Sequence, residues 1–240
     1  MVRDPEKVTD GFYRLHYDFA SMRAAQRSKL REEIRQGNLS PTPGELDRLM
    51  WSTRHHEYKF ADVTHHNLQQ YLNLLNLYFS CDCFEFHSLL LDRTQPEFSL
   101  SRWNNDSWRA YVKLGRELLE QRLNSPAFVL VDFQEKPNAA SVAVESEFCA
   151  VKQVKGCLRA SSETQVFLQL TDVLLGCVAF DLRDKNHFYA QGSKRAEAKR
   201  NLVSLMREKL ALMTDQQIVT IQQHVWETAV PSPFTVSLHR

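Results

Sequence analysis

The stretch from Ser162 to Asp184, S-E-T-Q-V-F-L-Q-L-T-D-V-L-L-G-C-V-A-F-D-L-R-D, constrains the fold more than any other part of the chain. Ser162, followed by Glu163 and Gln165, supplies a hydroxyl and an acidic first turn, the signature of a helix start. Val166, Phe167, Leu168, Leu170, Val173, Leu174, Leu175, Val178 and Phe180 then make the segment apolar almost all round. Such a helix is buried on most of its faces. Gln169 and Asp172 interrupt it three residues apart on one face, and Gly176 continues the stripe one turn on. A buried carboxylate without a partner is costly, so Asp172 is expected to be paired, protonated or bound to a metal. Two readings stand side by side: a hydrogen bond or ion pair that locks the helix, and an acidic site in a cleft.

The 240 residues suffice for one large domain or two small ones. A net charge of +1 argues against a dedicated nucleic-acid coat or an acidic tail and leaves room for a local basic face. No apolar run approaches the roughly 20 residues that span a bilayer, and residues 1–10 are polar, so the expectation is a cytoplasmic chain with no membrane contact. The cysteines (Cys81, Cys83, Cys149, Cys157, Cys177) are odd in number and lack a C-x-x-C pair. They read as buried or incidental thiols of a reducing compartment, not as a zinc site or a disulfide frame. Without a Gly-rich phosphate loop or a dinucleotide fingerprint, no nucleotide cofactor is expected. The absence of a Gly-x-Ser-x-Gly elbow argues against a serine hydrolase.

Apolar periodicity predicts helices over 11–36, 64–79, 103–123, 138–151 and 193–213 besides the organising one, with a short helix at 45–51. Strands are expected at 83–92, 127–133, 154–159 and 234–238. The segment 55–63 alternates, with Tyr58 and Phe60 on one face and Glu57 and Lys59 on the other. The continuous apolarity of A-F-V-L-V-D-F (127–133) suits a strand covered on both faces. Strands alternating with helices give an α/β class. The reading is a single domain over 1–240, helical up to about residue 80, with sheet and core helices over 83–182 and a basic helix and closing strand over 193–240.

Asp92 and Asp132 each close an apolar strand. In open α/β sheets ligands gather beyond the carboxyl ends of strands, which makes Asp132 and Asp172 candidates to meet at one mouth. Carboxylates there would suit Mg²⁺ or Mn²⁺, and a metal pair can activate water against a phosphodiester. Aspartates at strand ends are also common turn formers, and Asp92, beside Arg93, reads as a loop residue. Glu57 and Lys59 either face the same mouth, holding a metal and a phosphate, or form a solvated face. The pairs His55–His56 and His65–His66 lack a third ligand at helical spacing and read as surface histidines. The basic residues Lys194, Arg195, Lys199, Arg200, Arg207 and Lys209 either track a nucleic-acid backbone or simply solvate a helix face.

Four segments together resemble a known family. H-E-Y-K-F (56–60), F-H-S-L-L-L-D (86–92), F-V-L-V-D (128–132) and S-S-E-T-Q-V-F-L-Q-L-T-D-V-L-L-G (161–176) resemble, in order and spacing, the domain of unknown function 3800 family of bacteria, archaea and their viruses. The resemblance covers residues 10–240. It implies a ribonuclease H-like mixed sheet flanked by helices, with helical additions at the N-terminal side and the C-terminus. Q-L-T-D-V-L-L-G looks like the family's Q-x-x-D motif and marks Gln169 and Asp172. The aspartate ending the central strand falls on Asp132, and the Glu/Lys segment falls on Glu57 and Lys59.

The implied activity is that of a divalent-metal-dependent nuclease. Asp132 and Asp172 would bind Mg²⁺ or Mn²⁺, with Glu57 or Asp92 as a third carboxylate. Gln169 would orient Asp172 or a water, and Lys59 would contact phosphate. One departure weighs against it. Family members carry a short strand ending in Asp-Glu-Ser-Gly, and no such tetrapeptide occurs here. The expectation is then a truncated or mis-started product, a strand supplied by another segment or protomer, or an inactive member. That departure favours the alternative, a catalytically incomplete interaction module binding nucleic acid, a partner protein or a second protomer.

Overall fold

A computed structural model describes residues 5–47, 57–81, 83–91, 99–133, 142–185, 188–190, 192–210, 219–222, 225–228 and 234–239. In chain order the elements are α1 (Pro5–Arg35), α2 (Leu68–Phe79), β1 (Phe86–Leu91), α3 (Ser107–Arg122), β2 (Ala127–Asp132) and α4 (Val144–Cys149). There follow β3 (Val154–Ala160), α5 (Val166–Lys185), α6 (Lys194–Lys209), β4 (Val219–Gln222), β5 (Val225–Thr228) and β6 (Phe234–His239). The chain is mixed α/β and mostly helical. Its contacts group into two compact units: Met1–Cys83 with Ser162–Phe180 and His187–Met206, and Phe84–Ser161 with Asp181–Asn186 and Arg207–Arg240. No described helix is long and apolar enough to cross a membrane.

The first unit is helical. In α2 the buried residues Tyr71, Leu74, Leu75 and Tyr78 fall at i, i+3, i+4 and i+7, one stripe of a helix. Phe19 of α1 meets Tyr71 of that stripe edge-on at 6.1 Å, and Phe12 meets Phe167 at 5.4 Å; both α1 rings are buried. Phe19 stacks on Tyr58 with ring centroids 4.5 Å apart, and Tyr71 meets Tyr58 edge-on at 5.2 Å. Aromatic pairs in these arrangements add about 0.5–1.5 kcal/mol each beyond the area they bury. The Tyr58 hydroxyl donates to the Leu15 carbonyl at 3.1 Å, which gives the buried ring its polar partner.

In the second unit the described strands form three two-stranded sheets, β1–β6 and β2–β3 parallel and β4–β5 antiparallel. The β4–β5 pair is not foreseen by the strand pattern. Val129 and Val131 of β2 point into a core of Trp108, Val112, Val144 and Phe148 supplied by α3 and α4. The alternate residues Phe128 and Leu130, and Leu158 of β3, are exposed. The strand expected to be covered on both faces is therefore covered on one, because α3 and α4 both pack on the side of Val129 and Val131.

Two boundaries move for local reasons. The helix expected from Trp103 breaks into a 3-10 turn (Leu100–Trp103) and α3, because Asn104 and Asn105 both take φ of 57°. Asparagine tolerates that left-handed conformation better than most residues. Asp106 then caps α3, its carboxylate accepting the N–H groups of Trp108 and Arg109. The expected start at Ser162 likewise becomes a 3-10 turn, Ser162–Thr164, and α5 begins at Val166. At the far end of α5 the buried Asp181 carboxylate accepts from the Arg207 guanidinium of α6. Arg207 is thus an internal counter-ion, not part of a free basic face.

Glu147 ties α4 to α3, accepting from Lys113 Nζ at 2.7 Å and Arg116 Nη1 at 3.3 Å. The Lys113 hydrogen bond, with Arg116 assisting and burial opposing, holds its carboxyl below the ordinary value of 4.5. A carboxyl depressed in the folded state contributes stability that is complete above its unfolded value and lost as pH falls through its folded one. Glu147→Gln is therefore expected to lower the urea midpoint at pH 7, and the gap from the parent chain should close as pH drops below about 4.5. A gap that persists unchanged into acid would contradict the assignment.

Candidate functional site

The residues singled out around 57–59 and 169–172 lie together in the first unit. Gln169 is 1% exposed, and both ends of its amide are engaged. Oε1 accepts the Tyr58 N–H at 2.9 Å, and Nε2 donates to the carbonyls of Ser162 at 2.6 Å and Glu163 at 3.4 Å. One turn on, Asp172 Oδ2 accepts the Phe60 N–H at 2.8 Å. Tyr58 and Phe60 are two residues apart with Lys59 extended between them (φ −116°, ψ 129°), so their N–H groups leave the same edge of the chain. Gln169 and Asp172 occupy that edge as a neighbouring strand would.

The intervening residue is held separately. The Tyr71 hydroxyl donates to the Lys59 carbonyl at 2.9 Å and accepts the Lys59 N–H at 3.2 Å. Every backbone N–H from Tyr58 to Phe60 thus has a side-chain partner, which a segment outside regular structure requires. Beyond it the chain turns through a 3-10 helix, Phe60–Asp62. The Phe60 ring lies directly on Gly176, where any β-carbon would collide with it. The spacing Q-x-x-D-x-x-x-G now has a local account: an amide for residue 58, a carboxylate for residue 60, and a bare backbone for the ring of Phe60.

Glu57 is 5% exposed, and its Oε2 accepts from Lys59 Nζ at 2.9 Å and the Ser162 hydroxyl at 3.1 Å. The expectation that Glu57 might lie on a solvated face is corrected, since Ser162 closes over it. The expectation of a buried Asp172 is also corrected: Asp172 is exposed, and Gln169 is the buried member of the pair. Burial raises the hydroxyl pKa of Tyr58 and of Tyr71, so both stay protonated donors at neutral pH. On α6, Lys199 Nζ stands 4.8 Å over the Phe60 ring. Burial first, then the neighbouring Arg195, pushes the Lys199 pKa down, while Arg195 donates to the Ala61 carbonyl.

Glu57, Lys59, Gln169 and Asp172 are therefore brought together. Asp132 lies in the second unit at the end of β2, where its Oδ1 accepts the Phe133 N–H at 2.9 Å. It borders a shallow depression lined by Trp108, Tyr111, Val131, Val144 and Arg159. Burial, then the Asp132 charge, raises the Tyr111 pKa. Asp92, His55 and His56 lie outside the described residues. His65 and His66 are exposed. The partners that sequence reasoning did not identify are Tyr71, read as a core residue of α2, and Ser162, read as a helix cap. Neither carries a spacing signal that would single it out.

The expectation of five incidental thiols is corrected too, because Cys81 and Cys83 form a disulfide. Pairing at this spacing needs only one intervening residue, which a search for C-x-x-C does not register. Among the described residues, no group of three or more His, Cys, Asp or Glu side chains is placed to hold a metal ion.

Comparison with protein-family models, with curated proteins and with solved structures gives no match. The likeness to the domain of unknown function 3800 family thus rests on the sequence motifs alone. If the Gln169 amide is the main tie, Gln169→Leu strands a buried N–H and a buried carbonyl and should cost about 2–4 kcal/mol in urea denaturation. Asp172→Asn keeps an acceptor oxygen for the Phe60 N–H and should cost less than about 1 kcal/mol. Equal losses, or no loss at Gln169, would contradict the assignment.

Proposed function

We propose that this chain is a non-catalytic interaction module, related to ribonuclease H-like domains through its motifs, whose polar set at 57–59 and 169–172 serves the fold. The observation that carries this reading is the bare apolar face of the β2–β3 pair. Phe128 is 76% exposed, Leu158 62% and Leu130 46%. In register, Phe128 sits opposite Gly156 and Leu130 opposite Leu158, so the large side chains form one continuous patch. Parallel strands are normally covered on both faces, and an uncovered apolar patch marks an interaction surface.

The occupant we assign is a second copy of the chain. Phe128, Leu130, Gly156 and Leu158 carry no charge, and Asp132, the one acid in phase with Phe128 and Leu130, sits at the end of β2, so the patches of two copies can meet without burying an unpaired ion. The chain's net charge of +1 opposes self-association only weakly, and two-fold contacts of a patch with itself are the commonest assembly. A face without Lys or Arg offers nothing to a phosphate backbone, which disfavours nucleic acid as its occupant. The engagement of Glu57 with Lys59 and Ser162, and of Gln169 with the backbone, supports the same reading.

The second reading is a divalent-metal-dependent nuclease. What favours it is Asp172, which is exposed and engages only Oδ2 among the described residues.

Sedimentation at tens of micromolar chain should give a dimer that Leu158→Glu converts to monomer. The fold of the variant should hold within about 0.5 kcal/mol, because residue 158 is exposed. A monomeric parent chain would overturn the assignment. Calorimetric titration with Mn²⁺ distinguishes the two readings: no heat fits the module, and micromolar binding lost in Asp172→Asn would replace it with the nuclease.

A further inference from the structure

Cys81 and Cys83 are joined around a single intervening residue, between the last turn of α2 and the start of β1. The two sulfurs differ in surroundings. Cys81 is buried and its N–H donates to the Tyr78 carbonyl at 3.2 Å, whereas Cys83 is exposed. The Cys83 N–H donates to Cys81 Sγ at 3.4 Å. A cross-link between residues 81 and 83 closes a loop about as short as a disulfide can close, so it restricts the unfolded chain very little. It is poorly suited to be a structural staple. Exposed disulfides are the readily exchanged ones.

We propose that Cys81–Cys83 is a thiol–disulfide exchange site that accepts small-molecule monothiols at the Cys83 sulfur. The thiolate of an incoming thiol such as glutathione attacks Cys83 Sγ, on the exposed residue of the pair. The Cys81–Cys83 bond breaks and a mixed disulfide forms on Cys83. Cys81 leaves as a thiolate and takes a proton from water. The Cys83 N–H, already on Cys81 Sγ, stabilises the charge that develops there. A second glutathione thiolate attacks the glutathione sulfur of the mixed disulfide. This releases oxidised glutathione and a Cys83 thiolate, which is protonated in turn. The protein gains two electrons and two protons, and two glutathione molecules become one disulfide.

The test uses the folded full-length chain in glutathione buffers of graded reduced-to-oxidised ratio, quenched in acid and mapped by alkylation and peptide mass. The 81–83 peptide should pass from cross-linked to doubly alkylated as the ratio rises, while the exposed free thiol Cys149 passes only from glutathione-bound to alkylated. Oxidised glutathione alone should modify Cys83 in Cys81→Ser at least about tenfold faster than Cys81 in Cys83→Ser, and unfolding in urea should remove that difference. Two free thiols at every ratio, a cross-link that glutathione never opens in the folded chain, or preferential modification of Cys81 would each overturn the proposal. The parent chain's titration decides the first two outcomes even if a variant fails to fold.

Discussion

The buried amide of Gln169 is the constraint on which the first unit depends. An amide inside an apolar helix is tolerated only when its donor and its acceptor are both satisfied. Here the two ends bind different pieces of backbone: the acceptor takes the N–H of Tyr58, and the donor takes the turn at Ser162 and Glu163. A single side chain thus fixes the extended segment 57–60 and the approach to its own helix. The rest of the aromatic packing presupposes that fix. Tyr58 can stack on Phe19 and meet Tyr71 only if its backbone is held in place, and Phe60 can lie on Gly176 only if the chain leaves Lys59 in the observed direction.

This arrangement changes how the polar motif is understood. Carboxylates and amides at such spacing read equally well as catalytic or as structural. Here each polar member of the motif has a partner in the fold. Glu57 is tied to Lys59 and Ser162, and Asp172 to Phe60. The second unit shows the opposite imbalance. Its β2–β3 pair has a well-filled inner side around Trp108 and Phe148 and an outer side with large apolar groups in water. The first unit thus holds Glu57 and Gln169 inside with partners, whereas the second leaves Phe128, Leu130 and Leu158 in water.

Much of this was legible in the residues. The pairing of Gln169 with Asp172 on one face, with Gly176 below them, follows from helical spacing, and the strands at 86–91, 127–132 and 154–160 follow from apolar runs. What the spacing could not convey was which of the two polar residues is inside, because burial depends on partners from a distant segment. Asp172 meets one backbone N–H at the surface, while Gln169 accepts one N–H and donates to two carbonyls. The break at Asn104 and Asn105 was hidden by apolar residues on both sides that keep helical phase. Tyr71 was invisible as a ligand of Lys59, since a tyrosine in a core stripe looks the same whether its hydroxyl is engaged or not. The Cys81–Cys83 bond was missed because composition describes how many thiols there are, not which ones touch.

Amide hydrogen exchange at Tyr58 and Phe60, followed by NMR in the folded chain, tests the central claim most directly. The Tyr58 amide lies outside regular secondary structure and the Phe60 amide opens a 3-10 turn, yet each has a side-chain acceptor on α5. They should exchange as slowly as the core amides of α5, because releasing them requires the whole unit to open. Exchange at the rate of an ordinary loop would mean that Gln169 and Asp172 do not hold the segment, and the structural reading of the motif would fall.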